Sequence, residues 1–75
     1  MERQLHRIGL GRWVVVTRVE VKEPLRQRLR DIGMIPGTAV RCRYRTPDRK
    51  VTAVEFRGTV VALRTMDLQK VWVCG

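Results

Sequence analysis

His6, Cys42 and Cys74 are the side chains of this sequence best able to act as proton carrier, nucleophile or soft metal ligand. A hydrolytic triad needs a nucleophile, a histidine and an orienting acid converging on one point. The only histidine lies in a polar opening stretch, and no spacing places a nucleophile beside it. The seven carboxylates mostly stand near arginines, where they serve as ion pairs rather than as general acids. Gly9-Leu10-Gly11 lacks the length and the lysine of a phosphate-cradling loop. Iron or zinc would need several His, Cys or carboxylate ligands brought together. No motif brings them together: Cys42 falls on the inward phase of a strand as a small core residue, and Cys74 sits at the chain end. We therefore expect a binding protein, with no catalytic residue, no metal ligand and no cofactor.

What the chain has in quantity is positive charge. Its formal net charge is +9, from thirteen arginines and three lysines against the seven acids. Guanidinium favours bidentate contact with carboxylate or phosphate, so acidic proteins, nucleic acid and anionic lipid all suit as partners. Arg41, Arg43 and Arg45 alternate with Val40, Cys42 and Tyr44, which puts three guanidiniums on one strand face about 7 Å apart. With Arg57 and Arg64 on neighbouring strands, that row could follow a phosphate backbone. Trp72, on the outward phase of the last strand, is the aromatic available to stack on a base. A small basic nucleic-acid-binding barrel is thus one functional reading.

Positioning these residues requires short strands and tight turns. Met1 to Arg12 is polar and glycine-punctuated and reads as an arm. Trp13 to Val21 is valine-rich and suits a strand, with the unbroken Val14-Val15-Val16 expected to be covered on both faces. The period then changes. Leu25, Leu29 and Ile32 fall on one helical stripe, with Pro24 at the helix start and Glu23 beside the positive end of the dipole. Gly33 can close the helix in the left-handed conformation, and Met34 can pack back on its last turn. Pro36-Gly37 predicts a type II turn, and Thr46 to Arg49 a second turn. Val51–Phe56 and Thr59–Leu63 form strands joined by a tight hairpin at Arg57-Gly58, with Val54, Phe56, Val61 and Leu63 inward. Thr65 caps a single helical turn carrying Leu68, and Lys70–Val73 is a last strand with Val71 and Val73 inward. The fold class is all-β: a small five-stranded barrel with one short helix after the first strand.

Seventy-five residues allow one domain, expected as a leader over 1–11 and a barrel over 12–73. Hydrophobic residues make up 44% of the chain, enough for one core, though a scaffold of this size holds only about 3–5 kcal/mol of stability. Two cysteines are too few for a secreted disulfide scaffold. Arg3, His6 and Arg7 break any signal-peptide core, and the longest uncharged apolar run, Trp13 to Val16, is too short to span a bilayer. A cytoplasmic location is expected.

Two segments carry a family resemblance. Leu25-Arg26-Gln27-Arg28-Leu29-Arg30-Asp31-Ile32-Gly33-Met34-Ile35-Pro36-Gly37-Thr38 resembles the FeoA signature: a basic leucine-containing helix, then a hydrophobic-Gly-hydrophobic-X-Pro-Gly turn. Gly58, Val61-Ala62-Leu63-Arg64, Leu68, Val71 and Val73 resemble the closing segment of that family, so the similarity runs from about Arg12 to Val73. Pro47-Asp48-Arg49-Lys50 departs from the family's usual Pro-Leu-Gly-Asp-Pro link, and Leu68 stands where alanine is common. The resemblance implies an SH3-like barrel and a non-enzymatic accessory protein of bacterial ferrous iron uptake. Its partner would be the cytosolic part of the FeoB transporter, either the GTP-binding domain or membrane-proximal loops. That would hold the chain at the inner membrane face through its partner. The same domain also ends iron- and manganese-dependent repressors, but the start at Met1 without a winged-helix segment leads us to expect a complete chain. A helix laid on such a barrel leaves a crevice. We expect Leu25, Arg26, Leu29, Arg30, Met34, Ile35 and Pro36 to bind the partner there, with Arg28 also on the rim.

Overall fold

The computed structural model describes residues 1–75. The chain runs β1 (Arg3–Gln4), a 3-10 turn (Leu5–Arg7), β2 (Val14–Val19), α1 (Leu25–Ile32), β3 (Ala39–Arg45), β4 (Val51–Phe56), β5 (Thr59–Arg64), α2 (Thr65–Leu68) and β6 (Val71–Cys74). All pairings are antiparallel, and the sheet order is β1-β6-β2-β3-β4-β5. One core cluster of 14 buried residues draws on the leader, β2, α1, β3, β4, α2 and β6, and Val61 and Leu63 of β5 pack against it. A sheet in which β2 to β6 all send side chains to one core must curl around it. Yet β1 and β5 do not pair, so the sheet is open.

The leader corrects the first expectation. Arg3 pairs with Val73 and Gln4 with Trp72, adding a sixth strand to the five expected. Leu5 and Ile8 then turn into the core, at 0% and 2% exposure. The polar, glycine-rich appearance of residues 1–12 hid two apolar anchors. Within β2 the three valines simply alternate: Val14 and Val16 are buried, while Val15 stays 42% exposed rather than covered.

Turn chemistry behaves as the sequence dictates. Thr38 N–H donates to the Ile35 carbonyl across Pro36-Gly37, with Gly37 at φ 96°. Arg57 and Gly58 both take positive φ and join the paired Phe56 and Thr59, a type I′ hairpin. Thr65 does not cap α2: its hydroxyl bonds that of buried Thr52 at 2.8 Å, and Arg64 stands at the cap position without a side-chain capping bond to the helix backbone. Leu68 is fully buried, as are Val71 and Val73.

A second correction lies in β3. Cys42 pairs with Val54 but Tyr44 with Ala53, so the register slips by one residue at Arg43. Such a bulge places two residues opposite one and shifts the in–out phase beyond it. Tyr44 therefore faces out, 61% exposed. Arg45 turns the other way, half-buried, with Nη2 donating to the carbonyls of His6 and Ile8 at 2.9 and 3.0 Å. It pins the leader in place of joining an exposed arginine row.

Candidate partner-docking site

Helix α1 is built from its ends inward. Glu23 Oε1 accepts the Gln27 N–H at 2.8 Å, satisfying one of the donors that a helix start leaves open. At the far end Gly33 adopts φ 100°, its N–H reaching the Leu29 and Arg30 carbonyls, and Met34 N–H returns to Leu29 at 2.9 Å. This paired closure fixes the direction in which the chain leaves the helix. Thr38 Oγ1 donates to the Gly33 carbonyl at 2.8 Å, tying the Pro-Gly turn to the helix end. The Arg57 side chain lies over Gly33, so that a β-carbon there would come within 3.1 Å of it. Its positive charge beside the helix C-terminus also complements the dipole.

Between this helix, the turn and the end of β2 lies a crevice of about 200 Å³, lined by Arg18, Val19, Arg26, Arg30, Met34, Ile35 and Pro36. Five of the seven partner residues expected from the sequence meet there. The other two are placed elsewhere: Leu29 is 1% exposed in the core, and Leu25 is half-buried against it. Met34, at 1% exposure, serves as floor rather than wall. Ile32, expected on the buried stripe, is 40% exposed, because an eight-residue helix closing at Gly33 turns its last residue off the sheet. Arg28 does not line the crevice.

Arg18 and Val19 are additions that helical spacing could not reveal, since they come from the end of β2, outside the helix and turn that carry the motif. Arg18 is held by Glu2 and Glu20, at 3.0 and 2.9 Å, and stacks over the Trp72 ring at 4.5 Å. Trp72 Nε1 donates to Glu20 at 2.8 Å, so the indole is engaged on its face and its edge. Arg26 and Arg30 form no ion pair; Arg30 donates only to the Gln27 amide oxygen, at 3.0 Å. The crevice thus presents an apolar floor under two uncompensated guanidiniums.

The other arginines are committed differently. Arg41 and Arg43 share Glu55 at 2.7 and 3.0 Å, and Arg41 also lies over Trp13, 4.8 Å from the ring centre. Hydrogen bonds from Arg41 first, then Arg43, hold the Glu55 carboxyl below the usual carboxylate range. Arg64 pairs with Asp67 at 3.3 Å. Cys42 is fully buried, and burial pushes its thiol pKa up, away from reactivity. No group of three or more His, Cys, Asp or Glu lies close enough to hold a metal ion, and no helix is long and apolar enough to cross a membrane.

The FeoA domain model matches residues 3–74. The chain belongs to the FeoA family. That family is associated with ferrous iron transport, and its members are accessory proteins rather than known enzymes. Among solved structures the chain is similar to FeoA from Chlorobium tepidum, at 22% identity and TM-score 0.91, covering 96% of this chain and 69% of that one. It is also similar to FeoA from Stenotrophomonas maltophilia, determined with zinc, at 27% identity and TM-score 0.79, covering 97% and 88%. That protein is described as a prokaryotic SH3 domain protein and a proposed activating factor of ferrous iron transport. A manganese-dependent transcriptional repressor shares the fold at 21% identity and TM-score 0.87, over 99% of this chain but 41% of its own. No curated protein matches the chain. The match begins at residue 3, so the FeoA domain takes in the leader that the motif-based resemblance left outside.

Proposed function

We propose that this chain is a non-enzymatic accessory protein of bacterial ferrous iron uptake, acting in the cytoplasm on the cytosolic part of a FeoB-type transporter. The observation that carries this reading is the crevice beside α1, where Met34, Ile35 and Pro36 lie under the unpaired Arg26 and Arg30. Its natural occupant is a short amphipathic segment with apolar side chains for the floor and carboxylates for the rim. A segment exposed in one transporter state and covered in another would couple docking to assembly or activity, because a ligand shifts an equilibrium only by its differential affinity. Family membership and the activating role proposed for the Stenotrophomonas relative support the same direction. The net charge of +9 would speed encounter with an acidic surface.

The test is binding to the cytosolic region of the same organism's transporter at physiological salt. Leu29→Asp is unsuited to it, since a charge at a position 1% exposed would unfold the chain. Arg26→Glu/Arg30→Glu and Ile35→Asp alter the crevice while sparing the buried core, and each should weaken binding at least about tenfold. Unchanged thermal unfolding of the variants makes that loss specific. Failure of the parent chain to bind would sink the reading. Binding to a DNA duplex alone would move function to the nucleic-acid face, where Arg43 and Tyr44 remain exposed although Arg45 does not.

A further inference from the structure

All three lysines of the chain line two neighbouring hollows that share Arg64 and have no lining residue in common with the crevice, although Lys22 stands one turn from Arg26, whose N–H its carbonyl accepts at 3.1 Å. Lys50 joins Arg49, Val51, Arg64, Thr65 and Met66 around a hollow of about 490 Å³. A second hollow, of about 240 Å³, holds Lys22 and Lys70 and shares Arg64 with the first. Lys22, Arg49, Lys50 and Lys70 pair with no carboxylate, while Arg64 is 72% exposed and bonded to Asp67. Against these five cations the two hollows bring only Glu23 and Asp67.

Apolar matter stands in the middle of this charge. Met66, on α2, is 63% exposed and lines the first hollow together with Lys50, Val51 and Arg64. Long basic side chains lay aliphatic stems along such a surface and keep their charged heads in water. The result is a hollow with an apolar wall and a cationic rim, the complement of a molecule with an anionic head and a hydrocarbon body. Lysine, a strongly hydrated point charge on a flexible stem, suits a fluid anionic surface better than a fixed carboxylate.

We propose that this surface, centred on Met66 and rimmed by Lys22, Arg49, Lys50, Arg64 and Lys70, docks on the anionic headgroups of a phospholipid bilayer. Met66 enters the headgroup layer and the five cations meet lipid phosphates. Each cation near such a surface raises partitioning about fivefold, so the set is enough for reversible attachment. The residues that make this contact do not line the crevice.

Co-sedimentation with vesicles tests it directly, using 30% phosphatidylglycerol in phosphatidylcholine against phosphatidylcholine alone at physiological salt. The chain should bind only the anionic vesicles. Lys50→Glu/Lys70→Glu should weaken that binding at least about tenfold, while Arg26→Glu/Arg30→Glu, with the same change in net charge, should keep most of it. Met66→Asp should weaken it and Met66→Leu preserve it. Equal losses from the two charge-reversal pairs would reduce the effect to net charge and overturn the proposal. So would full competition by millimolar inorganic phosphate, which would mark a simple anion site, or absence of binding by the parent chain. Preferential binding to single-stranded DNA lost in Lys50→Glu/Lys70→Glu would overturn it too, in favour of a nucleic acid partner.

Discussion

Gly33 shows how one residue positions the crevice beside α1. Its φ of 100° is open to glycine and strained for any other residue, and the Arg57 side chain fills the space a β-carbon would take. Gly33→Ala should cost about 1–2 kcal/mol of stability and tilt the exit of the Pro-Gly turn, read by denaturant unfolding. His6 makes a different prediction. Its Nδ1 is buried without a hydrogen-bond partner, and burial first, then the charges of Arg7 and Arg45, lowers its pKa. The unfolded chain therefore binds the proton more readily than the folded one, so stability falls as the pH drops through the ordinary histidine range near 6.5. His6→Leu should flatten the dependence of Tm on pH between about 7 and 5, leaving the loss at lower pH that comes from Glu55 and the other paired carboxylates. The role of Cys42 as a core residue was legible from alternation alone. That of Arg45 was not, because a bulge leaves no mark in the residue types and reverses every side chain after it.

At the scale of elements, the order of strands, helix and turns follows from local chemistry: valine-rich runs, the shift to helical spacing at Leu25, and Pro-Gly and Arg-Gly turns. Two features escaped it. The first was the leader, whose anchors Leu5 and Ile8 are too few and too scattered to show a period, yet are buried, the Leu5–Arg7 turn docking against β6 and α2. Leu5→Ala should cost about 2–5 kcal/mol, a large part of what so small a domain can hold. Thermal unfolding should report it as a Tm drop of many degrees or as loss of the cooperative transition. The second was Ile32, whose place on the apolar stripe promised burial. Helical periodicity ranks faces but does not say where a helix ends relative to the sheet beneath it. The crevice residues divided along the same line: Arg26, Arg30, Ile35 and Pro36 were readable from the motif, while Arg18 and Val19 depend on how β2 lies beside α1.

For the molecule as a whole, the six-stranded sheet curls on a single core but leaves β1 and β5 as free edges. The basic residues, featureless as a list, separate in space into ion-paired arginines on the β3–β4 face, unpaired arginines at the crevice and the lysine-lined hollows beside Met66. That separation rests on tertiary placement, and no reading of spacing could supply it. The pairing of β1 with β6 carries one more consequence. Arg3 stands opposite Val73, so the first and last strands run side by side with Cα atoms about 5 Å apart. The backbone can be closed into a ring by a few glycines and reopened at the exposed turn between Asp48 and Arg49, with every strand pairing kept. Such a circular permutant should still melt in one cooperative transition, at a lower temperature than the parent, and calorimetry would show it. A chain that tolerates cutting there and joining at its ends behaves as a cassette, one that can be spliced into a loop of another protein without either of them losing its fold.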